Sequence, residues 1–277
     1  MSSTTPLTNS PTGWVFARSV AAAALVVSSA VPFFVFRSPL GYIPVVLGMV
    51  LAFTVSSSLT RDLFLIALPI VGINQISVEA NLEWSNIALM GFVLSAAVAV
   101  PYVLSRWVFK DHAIRFPGRP GEPWTKLEWT WLGLVLVLGW LILPVYFIGS
   151  GSYQNWPAVD EPSEIIRLFF GVGFVGIWDE LFFICTIFAL LRRHFSLWAA
   201  NVLQAVVFVS FLWELGYRSW GPLLTIPFAL MQAWIFEKSR SMYYVITVHL
   251  LFDVVVFLVL VYAHHPEWLP IFLYTGR

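Results

Sequence analysis

Long apolar stretches constrain this chain more than any motif in it. They run Trp14–Phe36, Pro39–Leu59, Ile87–Phe109, Trp129–Ile148, Ile165–Leu191, Leu197–Trp213 and Tyr243–Tyr262. A helix needs roughly 20 such residues to cross the hydrocarbon core of a bilayer. Two shorter stretches, Leu63–Ile76 and Pro222–Phe236, contain Pro69 and Pro227 and read as short, kinked or re-entrant pieces. No alternation of period two recurs at strand spacing, so a barrel is disfavoured. The expected fold is all-α: a polytopic transmembrane helix bundle of about eight or nine spanning helices.

Composition excludes the soluble alternatives. Only 11% of the residues are charged and 59% are hydrophobic, against about 25% charged in a soluble domain. The 15 basic and 15 acidic residues cancel, leaving no cationic surplus for a nucleic acid partner. Membrane lipids are the expected surroundings. Cys185 is the single cysteine, so neither an internal disulfide nor a thiolate cluster can form. It has no basic neighbour and reads as inert.

Basic residues favour cytoplasmic loops. With the N-terminus inside, the inner side takes Arg18, Arg61, Arg106, Lys110, Arg115, Arg119, Lys126, Arg192, Arg193, Lys238 and Arg240. The outer side takes Arg37, Arg167, Arg218 and Arg277. That bias requires both short segments to cross. Trp84, Trp107, Trp124, Trp129, Trp156 and Trp220 fall near segment ends, where an indole has an apolar and a wet side. The first segment is too long, and lacks a basic leader, for a cleaved signal. The longest polar stretch, Lys110–Glu128, divides the chain into N-terminal helices (1–109), a cytoplasmic loop (110–128) and C-terminal helices (129–277).

Ionisable groups inside a span are costly, and each is a functional candidate by default. They lie in the C-terminal half: Asp179, Glu180, Glu214, His249 and Asp253, with Asn201, Gln204 and Gln232 as neutral companions. His249 and Asp253 are spaced i,i+4 and share a helix face, either as a self-satisfied pair or as two groups on one wet cavity. Asp179 and Glu180 are neighbours, so their side chains point about 100° apart and cannot both face a small cavity squarely. Glu214 precedes Arg218 by four residues, the favourable order for a simple surface pair. Gly171, Gly173 and Gly176 read as a close-packing helix face.

These residues, over 165–262, resemble the CPBP family, the CAAX prenyl protease and bacteriocin-processing group of membrane proteins. Its motifs are Glu-Glu-x-x-x-Arg, Phe-x-x-x-His and His-x-x-x-Asn or Asp on successive helices. Asp179-Glu180 is similar to the start of the first, with Ile184 where its Arg would stand. His249-Leu250-Leu251-Phe252-Asp253 matches the third. The second has no His: one register, from Phe208, puts Leu212 there, and another puts Glu214 there. The resemblance implies a glutamate-type intramembrane endopeptidase that needs no cofactor and takes a membrane-associated peptide or protein. Asp179 or Glu180 would be the base, with family position favouring Asp179, and His249 an oxyanion donor. Asp253 would be a protonated donor or would orient His249, and Glu214 a substitute acid/base group. A divalent metal among the acids and His249 is a further reading, although no His-Glu-x-x-His is present. The missing Arg and His leave open an inactive scaffold or immunity-type relative, and mid-membrane acids also suit a transporter. A rhomboid-like Gly-x-Ser-x-Gly and presenilin-like aspartates are absent. The expected location is a bacterial or archaeal cell membrane, with the N-terminus cytoplasmic.

Overall fold

The computed structural model describes residues 13–118 and 122–274. Arg119 and Arg277, used above for orientation, lie outside the described residues. The described residues form helices and no strands. We number them α1 (Gly13–Val35), α2 (Pro39–Val55), α3 (Ser57–Ile73), α4 (Trp84–Val108), α5 (Lys126–Gly149), α6 (Pro162–Arg192), α7 (Leu197–Leu215), α8 (Pro222–Ser239) and α9 (Met242–His264).

Local chemistry sets the boundaries. Ser56, Ser196 and Ser241 accept from backbone N–H groups at the starts of α3, α7 and α9. Thr125 with Glu128, and Glu161 with Glu164, close reciprocal capping boxes on α5 and α6. Each satisfies N–H groups that a helix start leaves unpaired. Gly216 ends α7 at φ +135, a conformation costly for other residues.

Six helices among the described residues, α1, α4, α5, α6, α7 and α9, are long and apolar enough to cross a membrane, and α2 is a shorter apolar helix. Helices α2, α3 and α8 stand below that standard, so the structure sets no count of eight or nine crossings. Pro69 and Pro227 do not break their segments; α3 and α8 run through them. Large apolar side chains cover the outside, including Phe53, Phe92 and Phe170 at 80%, 73% and 68% exposure. Lipid is the solvent such a surface suits, and the protein is an integral membrane protein.

The helices run alternately between two end faces, which polar contacts tie together. At one face Arg193 donates to Asp62 and Asp111 at 2.8 and 3.1 Å, and Arg192 lies 3.2 Å from Glu237. Asp62 is a buried acid that the sequence reading passed over, because α3 begins upstream of the apolar window at Leu63. At the other face Arg37 donates to Glu214 and to the Ile76 carbonyl, and Arg218 to Glu79. Helix α6 occupies the centre, with 72% of its apolar window buried, whereas α4 has 22% and mostly faces outward. Trp84, Trp107 and Trp129 are exposed near helix ends as expected. Trp156 is not; it is buried against Phe147 and Tyr217.

Candidate active site

The site forms where α6 changes its winding. From Glu180 to Phe188 the helix is π-wound, and the Thr186 hydroxyl donates back to the Leu181 carbonyl at 2.9 Å. Such widened turns occur often at functional sites. Asp179 is the last residue before the change and Glu180 the first within it. Both meet one imidazole from α9. His249 Nδ1 lies 2.7 Å from Glu180 Oε1, and its Nε2 lies 3.7 Å from Asp179 Oδ2 and 3.8 Å from Asp253 Oδ1. Asp179, Glu180, His249 and Asp253 are 2%, 2%, 5% and 7% exposed, so four ionisable groups share one buried site.

The two acids of α6 have different surroundings, as their 100° separation requires. Glu180 turns into packed protein. Gln232 of α8 donates to Glu180 Oε1 at 2.9 Å, and Trp131 of α5 donates to Gln232 Oε1 at 3.3 Å. With Nδ1–H directed at Glu180, the free Nε2 faces Asp179 and Asp253. Those two acids and His249 line a cavity of about 430 Å³. Asp179 Oδ1 and Asp253 Oδ2 are buried without a hydrogen-bond partner among the described residues. Glu180 Oε2 is likewise buried without a hydrogen-bond partner among the described residues, so the cluster holds more acceptor oxygens than the donors around it satisfy.

Gly176 makes the arrangement possible. A Cβ there would overlap Asp253 Oδ2 and approach His249 Cδ2. Gly173 also packs on α9, against Leu250, but Gly171 has open space and lines the cavity, so only two of the three glycines form the expected packing face. Phe228 presents a ring edge-on to His249 at 5.2 Å. Tyr217 lines the cavity on the turn after α7, which Tyr146 and Asn155 hold through the Arg218 and Gly216 carbonyls. Burial, with the nearby Asp253 charge, pushes the Tyr217 phenol well above its usual range, so it stays a neutral donor.

One expectation is corrected. Glu214 does not pair with Arg218. Its Oε1 accepts from Arg37 at 2.6 Å and from the Val78 N–H at 3.2 Å, while Arg218 turns to Glu79. A buried acid takes the cation that reaches it in space, here from the turn between α1 and α2. Glu214 lies outside the cavity lining, whereas Leu212, its rival for the second-motif position, is part of it. Of the two readings for His249 and Asp253, the shared cavity fits better: at 3.8 Å they are within ion-pair range but too far apart for a hydrogen bond, and Glu180 holds the ring. Among the described residues no group of three or more His, Cys, Asp or Glu side chains is arranged to hold a metal ion. Asn201 and Gln204 clasp α7 to α8 through the Leu230 and Ala229 carbonyls and lie outside the cavity lining.

Sequence reading did not single out Gln232, Gly176 or Tyr217 as site residues. Gln232 carried a signal, being an amide in an apolar helix. Gly176 carried a signal only as a packing glycine, and Tyr217 carried none that one sequence displays.

A helical membrane protein with a buried carboxylate–imidazole cluster on an internal cavity is the class that these features define. Residues 161–255 match the family model described as Type II CAAX prenyl endopeptidase Rce1-like, a CPBP-type family of CAAX-type intramembrane proteases. That matched stretch, about a third of the chain, contains the whole acid–imidazole cluster. No curated protein and no solved structure matches the chain.

Proposed function

We propose that the chain is a membrane-embedded endopeptidase that hydrolyses a peptide bond of a membrane-associated substrate with a carboxylate-activated water. The observation that carries this reading is the meeting of Asp179, His249 Nε2 and Asp253 on one wall of a cavity large enough for an extended peptide segment. Asp179 Oδ1 has a free lone pair for a water proton. The water oxygen then attacks the carbonyl carbon. In its imidazolium form His249 keeps Nδ1–H on Glu180 and donates from Nε2–H to the developing oxyanion, with Tyr217 as a second donor, and donors aimed at that charge are a major source of rate. The proton taken by Asp179 passes to the leaving nitrogen, directly or through Asp253, giving a free acid and a free amine. Glu180 holds the ring by its far nitrogen, an orienting rather than a reacting role, and Gln232 holds Glu180.

The test compares membrane peptides in cells expressing wild type, Asp179→Asn or His249→Ala. Losing an acid/base group costs on the order of 10²–10⁴ in rate. New chain ends that appear with wild type and fall at least 100-fold in both variants support the reading. Equal products in all three overturn it. A second reading, a non-cleaving relative that binds peptide in the same cavity, draws support from Leu212, an inert side chain lining the cavity at one of the two registers for the His of the second family motif. It expects peptide retention that depends on Asp179, with no product from wild type.

A further inference from the structure

The end faces of the molecule differ in charge, and the cavity reaches one of them only. Arg61, Arg106, Arg115, Lys126, Arg193 and Lys238 gather at the face where Arg193 meets Asp62 and Asp111. The opposite face has Arg37, Arg167 and Arg218 among its described residues. Lysine and arginine mark the cytoplasmic side of short-looped membrane proteins. From Asp179 and His249 the cavity extends away from the basic face. It passes Leu212, Thr225 and Val172 and ends at Asn81, Asn86 and Arg167. Between the site and the basic face the interior is filled: Phe183, Phe188, Leu190, Val245 and Val248 are each at most 1% exposed.

The far end has a second, more polar hollow of about 530 Å³, which shares Asn81, Asn86 and Arg167 with the first and adds Ser77, Glu79 and Glu164. Beside it the cavity wall contains Trp84 of α4 and Phe170 of α6, each 68% exposed on the lipid-facing surface. A polar mouth next to an apolar side opening suits a chain that is extended and hydrated on one side and held in lipid on the other.

We infer that the site is loaded from the extracytoplasmic side, so that its substrate class is an exported peptide with an apolar membrane anchor, presented at the outer leaflet, and not the cytoplasmic tail of a protein. This rests on the proposed hydrolysis for the word substrate, but the direction of access does not depend on it.

Cys185 is the chain's single cysteine and is buried, which makes accessibility simple to read. Reporter cysteines Ser77→Cys, Asn86→Cys and Ala158→Cys probe the mouth, and Arg115→Cys and Lys238→Cys the basic face, each in a Cys185→Ala background. If that background folds poorly, the reporters are placed in the native chain, with unmodified wild type as the zero. A membrane-impermeant maleimide is applied to intact bacterial cells and to inside-out vesicles. The inference expects mouth cysteines to react at least tenfold faster in cells, and basic-face cysteines at least tenfold faster in vesicles. The reverse pattern, or mouth cysteines reactive from the cytoplasmic side alone, overturns it. In the product survey, cuts in extracytoplasmic segments agree with the inference and cuts in cytoplasmic segments refute it. No cuts, with mouth labelling from outside, would end the hydrolase reading and leave the direction of access intact.

Discussion

One missing carbon atom decides whether Asp253 and His249 can sit where they do. Gly176 leaves the room that Asp253 Oδ2 occupies. Gly176→Ala pushes that carboxylate aside, an easy movement for the end of a side chain, so the helix pair survives while the geometry at Nε2 changes. Turnover of a membrane peptide is expected to fall at least tenfold, with a thermal midpoint within a few degrees of wild type; an unchanged rate would show that Asp253 has no part in the step. Leu212 offers the converse experiment. Because it lines the cavity and Glu214 does not, Leu212→His adds the imidazole of the second family motif, and a rise of tenfold or more in turnover is expected. Glu214→His is expected to give none. A gain from Glu214→His instead would reverse the register. Asp179, Glu180, His249 and Asp253 were legible in the sequence because a charge in an apolar helix has few bland explanations. Gly176 was legible as a packing glycine but not as a site residue, and Tyr217 not at all, because each matters to the site only through what another helix brings against it.

Helix α7 shows how an element can carry a buried charge that acts as a tie. Its Glu214 accepts from Arg37 and from the Val78 N–H, which fastens the end of α7 to the α1–α2 turn and to the segment after α3. Arg218, the partner that helical spacing suggests, lies beyond the break at Gly216 and no longer shares the face. Spacing rules hold only while the helix continues, and the true partner is 177 residues away. Arg37→Ala leaves a buried carboxylate with one donor. The expected loss is about 1–3 kcal/mol, toward the lower end because Arg37 is partly in solvent. Thermal unfolding in detergent would read this as a lower midpoint, with Glu214→Gln milder and turnover per folded molecule unchanged in both. A collapse of turnover in Glu214→Gln at normal stability would place Glu214 in the active site. The boundaries of α5, α6 and α7 were better marked, since Thr125-x-x-Glu128, Glu161-Pro162-x-Glu164 and Ser196 are start signals readable without a partner.

At the scale of the molecule, an apolar surface and a buried polar site impose different demands, and α4 and α6 meet both at their shared edge. Gly91 on α4 and Gly171 on α6 line the cavity, and a Cβ at either would touch nothing within 4 Å. Glycine is a poor helix former, roughly 0.8–1.0 kcal/mol worse than alanine per position, and packing does not account for either of these two. Clearance for a chain entering from the membrane is a reason that fits both. Gly91→Leu and Gly171→Leu therefore fill the opening without meeting a neighbour. Folding is expected to be retained and turnover of an anchored peptide to fall at least tenfold, through a raised KM. Gly133 is the control, because it also has nothing within 4 Å but lies on α5 away from the cavity, and Gly133→Leu is expected to leave both constants unchanged. Equal effects from all three would mean that the bilayer, and not the cavity, senses the added side chain, and the lateral route would then have no support. Helix type and segment order were readable from the sequence because lipid forces each segment to satisfy its own backbone. Which edge stays open was not, because that depends on how separate helices fail to close on one another.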